Sequence, residues 1–224
     1  MIASSTPTLH QVCRWLSRIG IALVLLVFIA VVARWVLFTG PYRTPEPLPV
    51  AKLLDIHCHT AGIGAGDSGC FVSAKMRDSY KFRIYLKSFW TTREEVEQQG
   101  DALIIRRISD RLAQSHYVSK AVILALDGVV DERGELDRER TEVYVPNEFV
   151  AREVAKATNL LFGASINPLR KDALAQLAWA KAHGAKLVKW IPSIMQFDPA
   201  DERFVPFYKK LVELRLPLLC HAGQ

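Results

Sequence analysis

Residues 51–59 read AKLLDIHCH, a short apolar run that ends on two histidines one residue apart. A run of this length, followed by the glycine-rich stretch AGIGAGDSGC at residues 61–70, reads as a β-strand from Ala51 to His57. Side chains alternate along a strand, so His57 and His59 project to one side and Cys58 to the other. Two imidazoles sharing one space suit two ligands on a single divalent ion, because neutral imidazole binds zinc and similar cations well.

Four further apolar runs follow the same plan: VSKAVILAL (118–126), LLFGASIN (160–167), AKLVKWI (185–191) and LPLLCH (216–221). Helical pattern separates them over 91–114, 146–158, 168–183 and 201–214. Thr92 and Glu95 have capping-box spacing at the first of these helices, and Gly184 closes the third. Short strands that are apolar on both faces and alternate with helices imply a parallel sheet with crossover helices. A doubly wound sheet and a barrel both satisfy this order. No GxGxxG follows the first strand, so dinucleotide binding has no support.

Ligands of parallel α/β folds bind beyond the carboxyl ends of the strands. Polar residues stand at each such end here: Asp127, Asn167, Lys189 and His221. Lys189 interrupts an apolar run, where a merely buried amine is costly, and His221 adds a third imidazole at the same edge of the sheet. Asp127 and Asn167 serve equally as rim contacts to substrate or as surface caps. Glycines within 62–69 suit a mobile loop over the site.

The N-terminal part has a different character. Residues 19–38, IGIALVLLVFIAVVARWVLF, carry only Arg34 as a charge and are long enough to span a bilayer core as one helix. Trp15 and Trp35 flank the block as interfacial aromatics do. The run exceeds the apolar core of a usual signal peptide, which favours an uncleaved single-pass anchor after a polar tail, residues 1–18. Arg14 and Arg18 precede it and Arg34, Arg43 and Lys52 follow, so basic residues do not settle its orientation. Residues 39–50, with four prolines, form a stiff linker to the domain at 51–224.

The net charge of +6 is spread along the chain, without the basic stripe of a dedicated nucleic-acid binder. Arg106, Arg107 and Arg111 share their helix with Glu94, Glu95, Glu97 and Asp110, which reads as a solvated face. Cys13, Cys58, Cys70 and Cys220 form no CxxC pair. Cys58 and Cys220 each neighbour a strand histidine and face away from it, as packing residues.

The segments DIHCH, KWIPS and CHAG, in this order on successive strands, resemble the amidohydrolase superfamily. The similarity runs from Leu53 to Gln224 and is strongest to its amidohydrolase-related group, which contains aminocarboxymuconate-semialdehyde decarboxylase-like proteins. The resemblance implies the N-terminal part of a TIM-type (β/α)8 barrel holding one or two divalent metals, usually zinc. It makes His57 and His59 metal ligands and His221 the strand-five ligand or site histidine. Lys189 stands where several members carry a carbamylated lysine that bridges two metals, although the decarboxylase-like group manages without it. The implied activity is metal-assisted hydrolysis of a C–N, C–O or related bond in a small molecule, with Asp127 as a further candidate.

The family pattern continues with a sixth-strand histidine and an eighth-strand aspartate, whereas this chain stops just past strand five. The expectation is therefore a fragment of a longer product, inactive by itself. Three alternatives stay open: a decarboxylase of the same superfamily, a phosphoesterase of the polymerase-and-histidinol-phosphatase type, and an inactive membrane-anchored scaffold.

Overall fold

The computed structural model describes residues 9–38 and 52–222, which fall into two compact units. The proline-rich linker expected at 39–50 lies outside the described residues, as does the start of the N-terminal tail. The first unit is one helix, α1 (Leu9–Phe38), which begins within the segment expected to be a polar tail. Residues 10–37 of it are long and apolar enough to cross a membrane.

The second unit opens with β1 (Leu53–His59). Next come β2 (Phe71–Val72), α2 (Ala74–Arg77), α3 (Tyr80–Ser88), α4 (Arg93–Gln99) and α5 (Ala102–Ala113), then β3 (Val118–Leu124). β4 (Val143–Tyr144) and α6 (Asn147–Val154) lead to β5 (Leu160–Ser165). The chain continues through α7 (Ala173–Ala182), β6 (Val188–Trp190), α8 (Pro192–Met195), a 3-10 turn at Glu202–Phe204, α9 (Val205–Leu214) and β7 (Leu218–Cys220). β2 and β4 pair antiparallel in a small ribbon.

The main sheet has the order β1-β3-β5-β6-β7, and every pairing in it is parallel. Strands that neighbour one another in chain order, each joined through helix, build a parallel sheet that curls in one direction. The mixed α/β class and the parallel sheet expected from the alternating runs are thus present.

Two apolar layers follow from the alternation of the strands. Ala121, Ile123, Phe162, Ala164, Val188 and Trp190 face the helices and join the large core with Ile104, Phe149, Leu177 and Phe207. Trp190 is the centre of an aromatic group, with Phe197 at 4.8 Å and Phe207 at 5.2 Å between ring centroids, and its indole N–H donates to the Ile166 carbonyl. Val122, Leu124 and Leu187 form a second, smaller cluster on the opposite face, against Leu161 and Leu219. Gly163 lies between those layers: a Cβ there would meet Leu124 Cδ2 at 2.6 Å and Val122 Cγ1 at 2.8 Å. The glycine lets both side chains fill the concave face.

The single helix expected at 91–114 is two helices. Gly100 adopts φ +78°, which ends α4, and Asp101 begins the approach to α5. The expected capping box is present, with Glu95 N–H donating to Thr92 Oγ1 and Thr92 N–H to Glu95 Oε2. Asp101 is fully buried and turns its carboxylate away from α5. It accepts from the Ile63 and Gly64 amides, each at 2.9 Å, and from the Ser68 hydroxyl. These bonds tie the glycine-rich segment to the α4–α5 junction, where a free loop was expected.

Candidate active site

β1 carries His57 and His59 to the carboxyl edge of the sheet. The Asp55 carboxylate accepts the His57 N–H at 2.8 Å and shapes the strand just before the pair. The ring centroids are 4.9 Å apart and tilted by 57°, and the two Nε2 atoms approach to 3.0 Å. Cys58, between them, packs against the helix-side core, as the alternation requires.

The concave face brings more than the two histidines together. Lys189 alternates with the outward Val188 and Trp190 and pairs in register with Ser165 and Leu219. It is fully buried, and its ammonium has no hydrogen-bond partner. Burial pulls its pKa below the usual lysine value. His221 follows β7 directly; its N–H donates to the Trp190 carbonyl at 2.9 Å, which extends the β6–β7 ladder by one residue.

Electrostatics report how near these groups are. Burial and then the Lys189 charge depress His57, against a smaller opposing effect of Asp55, and His221 depresses it further. Burial, His57, Lys189 and His221, in that order, lower His59 to about 4. A lysine and a histidine from β6 and β7 act on histidines at the far edge of the sheet because the curl brings those edges toward one another. Both shifts favour the neutral imidazole, the form that binds metal.

Two Nε2 atoms 3.0 Å apart suit two ligands of one ion, since bonds of roughly 2.0–2.1 Å at a near-right angle give about that separation and a tetrahedral angle widens it only to about 3.3–3.4 Å. Their neutral state fits a divalent cation. An ammonium at Lys189 does not, although burial pulls the pKa of that lysine downward. Among the described residues, no group of three or more His, Cys, Asp or Glu side chains is arranged to hold a metal.

Asp127, just past β3, sits in a different environment. Its carboxylate accepts from Arg170 Nε and Nη2, both at 2.6 Å, and from the backbone amides of Asn167 at 2.7 Å and Gly128 at 2.9 Å. Both partners are buried. Burial opposes the Arg170 charge, but the carboxylate more than offsets it and holds the guanidinium above its usual pKa. Asn167 donates to the Gly128 and Met195 carbonyls. Ser165 accepts the Asp127 N–H and donates to the Lys189 carbonyl, and Asn147 brackets the Ser165 backbone. The polar residues at the ends of β3 and β5 thus brace the strand ends, with their hydrogen-bonding capacity largely used within the fold.

Sequence reasoning missed Arg170, Ser165, Asn147 and Asp101. Each lies in a segment read for its helical or apolar pattern. The signal for Asp101 was the glycine before it, which interrupts an otherwise continuous helical period. No protein-family model matches the chain, and no curated protein sequence matches it.

Proposed function

We propose that the chain belongs to a membrane-anchored, divalent-metal-dependent hydrolase of the amidohydrolase type, built on part of a TIM-type barrel, that acts on a C–N, C–O or related bond of a small molecule. One observation carries this reading: two imidazoles with Nε2 atoms 3.0 Å apart stand at the carboxyl edge of a curled parallel sheet. The concave face of that sheet also presents a buried, unpartnered amine. The helix at residues 10–37 supports the anchor, being long and apolar enough to span a bilayer.

His57 and His59 are the residues that would hold the ion, and His221, just past β7, is the third histidine of this reading. A bound divalent ion supplies Lewis acidity for attack by water on a polarised bond. The chain's own contributions are three. Burial is the largest effect lowering the pKa of both β1 histidines, and a positive charge on Lys189 adds to it. Asp55 orients the strand through the His57 amide. The Asp127–Arg170 pair, with Ser165 and Asn167, holds the ends of β3, β5 and β6 in register, so that side chains on separate strands keep a common geometry.

Elemental analysis of the purified full chain, before and after dialysis against zinc, tests the reading. We expect about one equivalent retained by the parent chain and loss of binding in the His57→Ala, His59→Ala double variant. Equal metal content in parent and variant refutes the assignment of the pair. Absence of retained metal in the zinc-dialysed parent removes the hydrolase reading for this chain.

A further inference from the structure

The segment from Ala74 to Trp90 combines unpaired positive charge with exposed apolar rings. Lys75, Lys81, Arg83 and Lys87 are exposed, and none forms an ion pair within 4 Å among the described residues. Asp78 is the only acid in the segment. Within α3, Phe82 and Leu86 are buried one turn apart and fix which side of the helix faces the core. At 100° per residue, Tyr80 and Ile84 fall opposite them, and their exposures of 65% and 57% agree. Arg83 and Lys87 flank this stripe on one side and Lys81 on the other. Tyr85 is 51% exposed, and Trp90, just beyond the helix, is 47% exposed with the Arg111 guanidinium 4.5 Å from its ring centroid.

This arrangement differs from an ordinary solvated helix face. A helix that only meets water spreads charges of both signs over its outer side and seldom places a tyrosine, an isoleucine, a second tyrosine and a tryptophan there. An apolar stripe edged by cations, with aromatic residues that have a ring and a polar tip, matches the boundary between headgroups and acyl chains. The cations complement anionic lipid, and their long stems snorkel while the apolar stripe sinks below them. The same chain carries a helix long and apolar enough to cross a membrane, so a bilayer is a surface this domain would meet at high local concentration.

We infer that α3 and the adjoining Trp90 form a membrane-docking surface that lies on an anionic lipid bilayer, with Tyr80, Ile84 and Trp90 entering the interface and Lys81, Arg83 and Lys87 meeting lipid headgroups. This surface is separate from the histidine pair and does not depend on the metal reading. Its role is to orient the domain against the lipid, as a second contact besides the apolar helix.

Hydroxyl-radical footprinting of the full chain tests the inference in nanodiscs of phosphatidylcholine alone and in nanodiscs that also contain phosphatidylserine. Oxidation of Tyr80 and Trp90 should fall severalfold in the anionic discs and return in high salt. Tyr117, 61% exposed and outside the segment, is the reference and should not change. A Lys81→Glu, Arg83→Glu, Lys87→Glu variant should lose the difference, because three basic residues near an anionic leaflet multiply the docked-to-free ratio by roughly a hundredfold. Circular dichroism and unchanged Tyr117 oxidation check the fold of that variant; should it unfold, the salt-reversible difference in the parent chain decides. Equal oxidation in both kinds of disc overturns the proposal. So does equal protection in neutral detergent micelles, which indicates a second copy or another protein as the cover, and so does parallel protection of Tyr117, which indicates unspecific adsorption.

Discussion

Replacing Lys189 with methionine should make the protein more stable. The side chain is fully buried and its amine has no partner, so the native state carries the desolvation of a polar group without compensation. Such a group costs about 1–3 kcal/mol, and methionine keeps most of the length and volume of the side chain without it. The gain expected at pH 7 is therefore about 1–3 kcal/mol, or about 2–4 °C in Tm for each kcal/mol in a domain of this size. The pH dependence has a definite sign. Burial lowers the folded-state pKa of Lys189 below 10.5, so between that lowered value and 10.5 the unfolded chain binds more protons than the folded one. Stability of the parent chain rises with pH through that window, and the advantage of the variant narrows in step. Urea titration in mild detergent with a chelator present, followed by the fluorescence of the adjacent buried Trp190, measures both effects. A variant that is less stable than the parent by 1 kcal/mol or more at pH 7, taking ~1 kcal/mol as resolvable, would refute the reasoning and show that the amine has a favourable partner. A confirmed gain means that the fold carries a residue costly to its own stability, as functional sites commonly do.

Three shorter tests concern the surroundings of the site. Asp127→Ala leaves the buried Arg170 guanidinium and the amides of Gly128 and Asn167 without their acceptor, so it should cost about 3–5 kcal/mol, while adding Arg170→Met should recover much of the loss; a double-mutant cycle without coupling would count against a bracing role. Burial raises Cys70 to about 12 and Cys58 to about 11, whereas Cys220 is exposed, so at pH 8 iodoacetamide should modify Cys220 well before the other two, with peptide mapping as the readout. Gly163→Ala drives a methyl into Leu124 and Val122 on the concave face and should cost about 1–3 kcal/mol by denaturant titration; no measurable loss would mean that this layer is looser than the contacts imply.

How much of the molecule could be read in advance depended on the range of the forces involved. The parallel strands were legible because an apolar run buried on both faces is a local pattern, and the pairing of His57 with His59 follows from the two-residue period of one strand. The Thr92–Glu95 capping box and the apolar stretch of α1 are local as well. What the linear order left undecided was set by contacts between distant segments. Asp101 reaches back to Ile63, Gly64 and Ser68, and that ties down a segment whose glycines alone suggest freedom. Asp127 meets Arg170, 43 residues further along the chain and past the end of β5, which makes a carboxylate at a strand end half of a buried ion pair. α3 gave no clear periodic signal because only Phe82 and Leu86 face inward, and its remaining apolar residues point outward. Residue order determines which side chains share a strand face. Only the curl of the sheet, a property of all its strands together, decides that Lys189 and His221 lie close enough to act on the β1 histidines.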